Sequence, residues 1–119
     1  MAKQFIVGFD TGIETARMTT WKPSISVVYP TFNEEENIER VVHFAEAVLT
    51  DMTSDYEIFI ANDASTDRSP EIAEALGRSN PCVKVFHHER NLKLGGALRT
   101  GFGKATKELV FHREDNDNL

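Results

Sequence analysis

The sequence is short of most features that announce a function. It has one cysteine, Cys82, so no internal disulfide can form. That excludes the disulfide framework of small secreted domains and fits a reducing compartment, so the expected location is cytoplasmic. No apolar run approaches the ~18 residues needed to cross a bilayer. Gln4 to Phe9 is too short an apolar stretch for a signal peptide, and Asp10 interrupts it. Basic residues are outnumbered, with 13 Lys and Arg against 19 Asp and Glu and a formal net charge of −6. No basic stripe offsets that excess, which argues against a nucleic-acid partner. The phosphate loop ending in Gly-Lys-Ser/Thr is missing, as is the Gly-x-Gly-x-x-Gly dinucleotide fingerprint. The histidines His43, His87, His88 and His112 show no metal-ligand spacing. Neither a nucleophile elbow nor a triad is evident, and no catalytic residue is assigned.

What is present is a regular alternation from Ser24 onward. Ile25 to Tyr29 is a continuous apolar run, as in a strand covered on both faces. A helix with a 3.6-residue stripe follows, on Ile38, Val41, Val42, Ala45, Val48 and Leu49. Asn33 is its expected N-cap, with Glu36 at N3. Tyr56 to Ala61 is a second strand, and Asn62 to Arg68 a polar loop. Ser69-Pro70 starts a second helix, with serine as cap and proline at N1, and Ile72, Ala73 and Leu76 as its inner face. Val83 to Phe86 is a third strand, and Gly95-Gly96 opens a third helix running to about Lys107. Leu109 to Phe111 is a fourth strand, ahead of an acidic tail. The order β-α-β-α-β-α-β implies one α/β domain, a Rossmann-like parallel sheet with helices on both faces. Residues 1–23 stand outside this pattern, as a leader or an edge segment in which Phe5 to Phe9 would be the strand. Asp10-Thr11-Gly12 has the form of a phosphate-binding turn, but is common by chance. Residues 24–119 form the expected ligand-binding domain.

Ligands of open α/β sheets bind at the carboxyl ends of the strands, and four segments place polar residues there. The first is Pro30-Thr31-Phe32-Asn33-Glu34-Glu35. The second is Asn62-Asp63-Ala64-Ser65-Thr66-Asp67, whose Asn and Asp can accept hydrogen bonds from a base or ribose; alternatively Asp63 and Asp67 organise the turn. The third is Glu89-Arg90-Asn91 through Gly95-Gly96 to Arg99. Its glycines permit close backbone approach at a helix start that attracts an anion. The fourth is Asp115-Asn116-Asp117, whose carboxylates are hard ligands for Mg²⁺ or Mn²⁺ bridging to a diphosphate.

In order and spacing these segments resemble the family-2 glycosyltransferases, in particular the dolichol-phosphate mannosyltransferase and undecaprenyl-phosphate glycosyltransferase group. The resemblance runs from Ile25 to about Asp117. It implies a GT-A fold, truncated here, that holds a nucleoside diphosphate sugar. Pro30, Phe32 and Glu34 would line the base pocket. Asn62 stands in the base and ribose motif, and Asp63 would hydrogen-bond the base or ribose. Arg90 and the Gly95-Gly96 backbone would lie near the nucleotide. Asp115 and Asp117 would be the Asp-x-Asp metal carboxylates for Mg²⁺ or Mn²⁺. The implied acceptor is a polyprenyl phosphate or a saccharide, which places the protein in the cytoplasm or at the cytoplasmic face of a membrane.

Three positions depart from the family pattern: Asn62 stands for a usual aspartate, and Ala64 and Lys93 stand for usual glycines. Ungapped alignment would put Glu114 and Asn116 at the metal positions in place of Asp115 and Asp117. The chain is expected to be the donor-nucleotide half of a transferase, without the acceptor half. The second reading is a non-catalytic nucleotide-binding module or a truncated remnant. An unpaired sheet edge would invite self-association.

Overall fold

Ile25–Thr31 is buried along its whole length, as a strand covered on both faces must be. The computed structural model describes residues 5–8 and 22–113. Its elements are β1 (Phe5–Gly8), β2 (Ile25–Thr31), α1 (Ile38–Met52), β3 (Tyr56–Asn62), α2 (Ser69–Ser79), β4 (Val83–His87), α3 (Lys93–Lys104) and β5 (Leu109–His112). The strands form one sheet in the order β1-β5-β2-β3-β4, and every pairing is parallel. Asp10-Thr11-Gly12 and Asp115-Asn116-Asp117 lie outside the described residues.

The two helix layers follow from the side-chain alternation along β2. Val27, Tyr29, Ile58 and Ile60 join Val42, Leu49, Ala73 and Leu76 in one core cluster, so α1 and α2 cover that face. The expected stripe on α1 is its buried face: Ile38, Val41, Val42, Ala45, Val48 and Leu49, with Met52 added. Val28 points the other way and meets α3 at Gly101. A Cβ on Gly101 would overlap the Val28 γ-carbons, so the glycine sets how closely the helix approaches the sheet.

The helix boundaries correct the sequence reading. Asn33 does not cap α1, which begins at Ile38 behind a turn at Asn37. The Asn33 carboxamide accepts from the Thr66 amide at 2.8 Å instead, and the backbone at Asn33 is left-handed with φ 53°. Ser69 is the first residue of α2, one position inside its expected place. The third helix begins at Lys93, which places Gly95 and Gly96 inside its first turn, and ends at Lys104. It stops early because the next residues have other partners. Thr106 donates from both N–H and Oγ1 to Glu57 Oε2, at 2.8 and 2.9 Å. The Lys107 amide donates to Ser26 Oγ, which itself donates to Glu57 Oε2 at 2.7 Å. This cluster, built on the buried Ser26 and Glu57, ties the α3–β5 connection to the amino end of the sheet, away from the strand-end loops.

The connection out of β2 runs through α1, and the one into β5 through α3 on the opposite face. β2 and β5 are neighbours, so a topological switch point lies at their carboxyl ends, where open α/β sheets bind ligands.

Candidate functional site

The first two strand-end loops hold each other. The Asn33 amide donates to Ser65 Oγ at 3.0 Å, the Glu34 amide to Ser69 Oγ at 2.8 Å and the Glu35 amide to Asp67 Oδ2 at 3.2 Å. Asp67 Oδ1 also accepts from the Ser69 amide at 2.9 Å. Burial works to raise the Asp67 carboxyl, but its hydrogen bonds from Ser69 and Glu35 hold it below the ordinary value of 3.8. Asp67 is thus the turn organiser. Glu34 is buried, and its carboxylate accepts from Asn37 Nδ2 at 3.1 Å.

The second and third loops are joined by four consecutive-pair side chains. Asn62 and His87 are register partners on β3 and β4. The Ser65 amide donates to Asn62 Oδ1, which fixes the carboxamide with Nδ2 toward His87 Nδ1, 2.9 Å away. His87 therefore accepts at Nδ1 and donates from Nε2 to Glu74 Oε1 at 2.7 Å. Asp63 and His88 follow on. His88 Nδ1 donates to Asp63 Oδ1 at 2.8 Å, with the two side chains only 7% and 5% exposed. The Leu92 amide donates to the same oxygen at 2.8 Å, and His88 Nε2 meets Thr100 Oγ1 of α3 at 2.7 Å.

In front of this network is an open cleft of about 580 Å³, lined by Phe86, His87, His88, Glu89, Arg90 and Leu92. That volume is in the range of small-ligand sites. Arg90 is exposed on its wall. At the end of β2, Pro30 is buried and Phe32 presents a 36% exposed ring. Gly96 is explained by packing, since a Cβ there would overlap Leu92. Gly95 has nothing within 4 Å, so the fold does not need a glycine there. Thr31 Oγ1 and His112 Nδ1 are buried without partners, at the carboxyl ends of the two switch-point strands. Buried polar atoms are rarely left so.

The structure thus brings Pro30, Phe32, Glu34, Asn62, Asp63, Arg90, Gly95 and Gly96 to one edge of the sheet. Asp115 and Asp117 lie outside the described residues; among those residues no group of three His, Cys, Asp or Glu is placed to hold a metal ion. Sequence reasoning passed over His87, His88 and Thr100. The signal was the register: His87-His88 closes β4 as Asn62-Asp63 closes β3. Two of the three departures also find an account. Ala64 and Lys93, at usual glycine positions, both keep a left-handed backbone, with φ 60° and 66°.

Comparison with known proteins agrees with this architecture. The chain is 32% identical over 108 residues to the glycosyltransferase AglD of Haloferax volcanii, covering 89% of this chain and 17% of that protein. It is 34% identical over 85 residues to a dolichol-phosphate mannosyltransferase of Pyrococcus furiosus, covering 71% of this chain and 23% of the relative. Against an undecaprenyl-phosphate 4-deoxy-4-formamido-L-arabinose transferase of Serratia proteamaculans it is 30% identical over 87 residues, 72% of this chain and 27% of the relative. The chain therefore spans roughly a sixth to a quarter of these proteins' lengths. The fold matches the mannosyltransferase PcManGT from Pyrobaculum calidifontis, solved with GDP-Man and Mn²⁺. The TM-score is 0.66 at 21% identity, over 84% of this chain and 32% of that one. Residues 26–117 match the model of Glycosyl transferase family 2, and the chain belongs to that family.

Proposed function

We propose that residues 24–119 are the donor-binding part of a glycosyltransferase that moves a sugar from a nucleoside diphosphate sugar to a polyprenyl-phosphate or saccharide acceptor. The observation that carries this reading is the joining of the β2, β3 and β4 strand-end loops at the carboxyl end of the sheet, beside the topological switch point, with Phe32 and Arg90 exposed and two buried polar atoms unpartnered on the switch-point strands. Pro30, Phe32 and Glu34 line the base pocket. Asp63, with Oδ1 engaged, offers Oδ2 to the base or ribose, and Asn62 holds the loop that presents it. Arg90 and the Gly95-Gly96 backbone face the diphosphate, where N-terminal helix amides and a guanidinium favour an anion.

In the sequence the acidic run begins at Glu114, separated only by Arg113 from the end of β5, a switch-point strand. Asp115 and Asp117 offer the hard oxygen donors that Mg²⁺ or Mn²⁺ prefers, so the residues fit such an ion. Bound there, it would neutralise the leaving diphosphate. The chain's own groups bind and orient the donor, and the acceptor oxygen attacks the anomeric carbon. Support for a lipid-phosphate acceptor comes from relatives named for dolichol and undecaprenyl phosphates. No described helix is long and apolar enough to cross a membrane; the proposed place of work is the cytoplasmic face of one, reached through the acceptor.

The departures at Asn62, Ala64 and Lys93 do not favour a degenerate remnant. Asn62 is hydrogen-bonded through both ends of its carboxamide, and Ala64 and Lys93 preserve the backbone path. Calorimetric titration of UDP, GDP and their sugar conjugates, with Mn²⁺ and then with EDTA, tests the proposal. Metal-dependent binding weakened by Asp63→Ala and Asp117→Ala supports it, and a folded chain that binds none of them refutes it.

A further inference from the structure

We propose that His88 is a positioning residue for the nucleotide, holding both the Asp63 carboxylate and the 88–92 wall of the cleft. The inference rests on the reading of these strand-end loops as the donor site. The ring is clamped on three sides. Nδ1 donates to Asp63 Oδ1 at 2.8 Å, Nε2 meets Thr100 Oγ1 at 2.7 Å, and the Phe86 ring lies edge-on at 5.5 Å and 81°. The Leu92 amide takes the second lone-pair site on Oδ1 at 2.8 Å. Oδ1 is then filled, and the carboxylate cannot rotate without breaking two hydrogen bonds. One oxygen, Oδ2, is left for a ligand in a fixed direction. His88 and Leu92 line the cleft on either side of Arg90, so the same bonds fix the segment that carries the cation. Loss of the ring's bonds would leave Asp63 Oδ1 held by the Leu92 amide alone, and the strip that carries Arg90 without the ring's anchors to Asp63 and Thr100. The backbone is tied separately, because the His88 amide donates to the Asn62 carbonyl at 2.9 Å. Side-chain variants therefore keep the chain path.

The test is calorimetric titration of UDP and GDP with Mn²⁺, alongside thermal melts of the same samples, for the wild type and variants at position 88. His88→Phe keeps ring packing and loses both hydrogen bonds; it should weaken the wild type's preferred nucleotide about tenfold, the loss of one hydrogen bond to a charged group. His88→Asn, whose Nδ2 replaces ring Nδ1, should recover most of that loss. A merely structural role would lower the melting temperature of His88→Phe and leave its affinity unchanged, which overturns the inference. So does a His88→Asn protein that binds no better than His88→Phe. Where His88→Phe does not fold, His88→Gln decides: its Nε2 reaches Thr100 rather than Asp63. Affinity of Asn above Gln supports the role, and Gln equal or better overturns it. A wild type that binds neither nucleotide overturns the donor-site reading itself.

Discussion

Ala64 and Lys93 occupy a conformation that suits glycine, and replacing each with glycine should stabilise the protein. Their φ values are 60° and 66°. A left-handed backbone costs an ordinary L-residue about 1–2 kcal/mol, through the clash of Cβ with the following carbonyl. Glycine removes that cost but adds about 0.5–1 kcal/mol of unfolded-state entropy. The balance is a gain of roughly 0.5–1 kcal/mol for each of Ala64→Gly and Lys93→Gly, or a few degrees in Tm for a domain of this size. The two gains need not add, because Asp63 and Leu92, the neighbours of the two residues, share a hydrogen bond. Asn33→Gly is the control. Its φ is 53°, but its carboxamide accepts from the Thr66 amide, so this glycine should destabilise. Urea unfolding followed by circular dichroism measures all three. Ala64→Gly and Lys93→Gly proteins that are no more stable than wild type, with unchanged m-values, would refute the reasoning.

Other outcomes follow from the same contacts. Gly101→Ala drives a methyl into Val28 and should cost about 1–3 kcal/mol in the same unfolding assay; a neutral result would show that α3 can move away from the sheet. Gly95 faces open space inside a helix, so Gly95→Ala should stabilise by about 0.5–1 kcal/mol. The same variant should weaken nucleotide binding, because the added methyl stands where the ligand approaches the backbone; unchanged affinity would remove Gly95 from the site. Asp67 is held below 3.8 in the folded state, so its stabilisation is complete above that pH and lost as pH falls through the folded value. The stability advantage of wild type over Asp67→Asn should be constant from about pH 5 to 7 and shrink on further acidification. An advantage that grows in acid contradicts this sign.

The parts of the fold legible in the sequence are those set by local periodicity. The stripe on α1 and the unbroken apolar run of β2 each reflect one dominant burial direction. Pro70 likewise marks the start of α2. Local chemistry is a poor guide where distant partners compete. Asn33 has the chemistry of a cap, yet its carboxamide is drawn to Thr66, 33 residues on. The third helix loses its last expected turn because Glu57, on a different strand, captures Thr106. In the site, the strand-end positions of Asn62, Asp63, Arg90 and Gly95 were visible from the alternation alone. The roles of His87 and His88 were not, since they appear only when β3 and β4 pair in register and bring Asn62 and Asp63 alongside. Ala64 and Lys93 looked like losses of glycine; the backbone shows that the glycine conformation outlasted the residue.

Donor binding by this chain is decided by calorimetry with UDP, GDP and their sugar conjugates in Mn²⁺, repeated after EDTA. Binding should need the metal and be weakened by Asp63→Ala and by Asp117→Ala. A sample folded by circular dichroism that binds none of these ligands, or binds them equally well in EDTA, would contradict the proposed function.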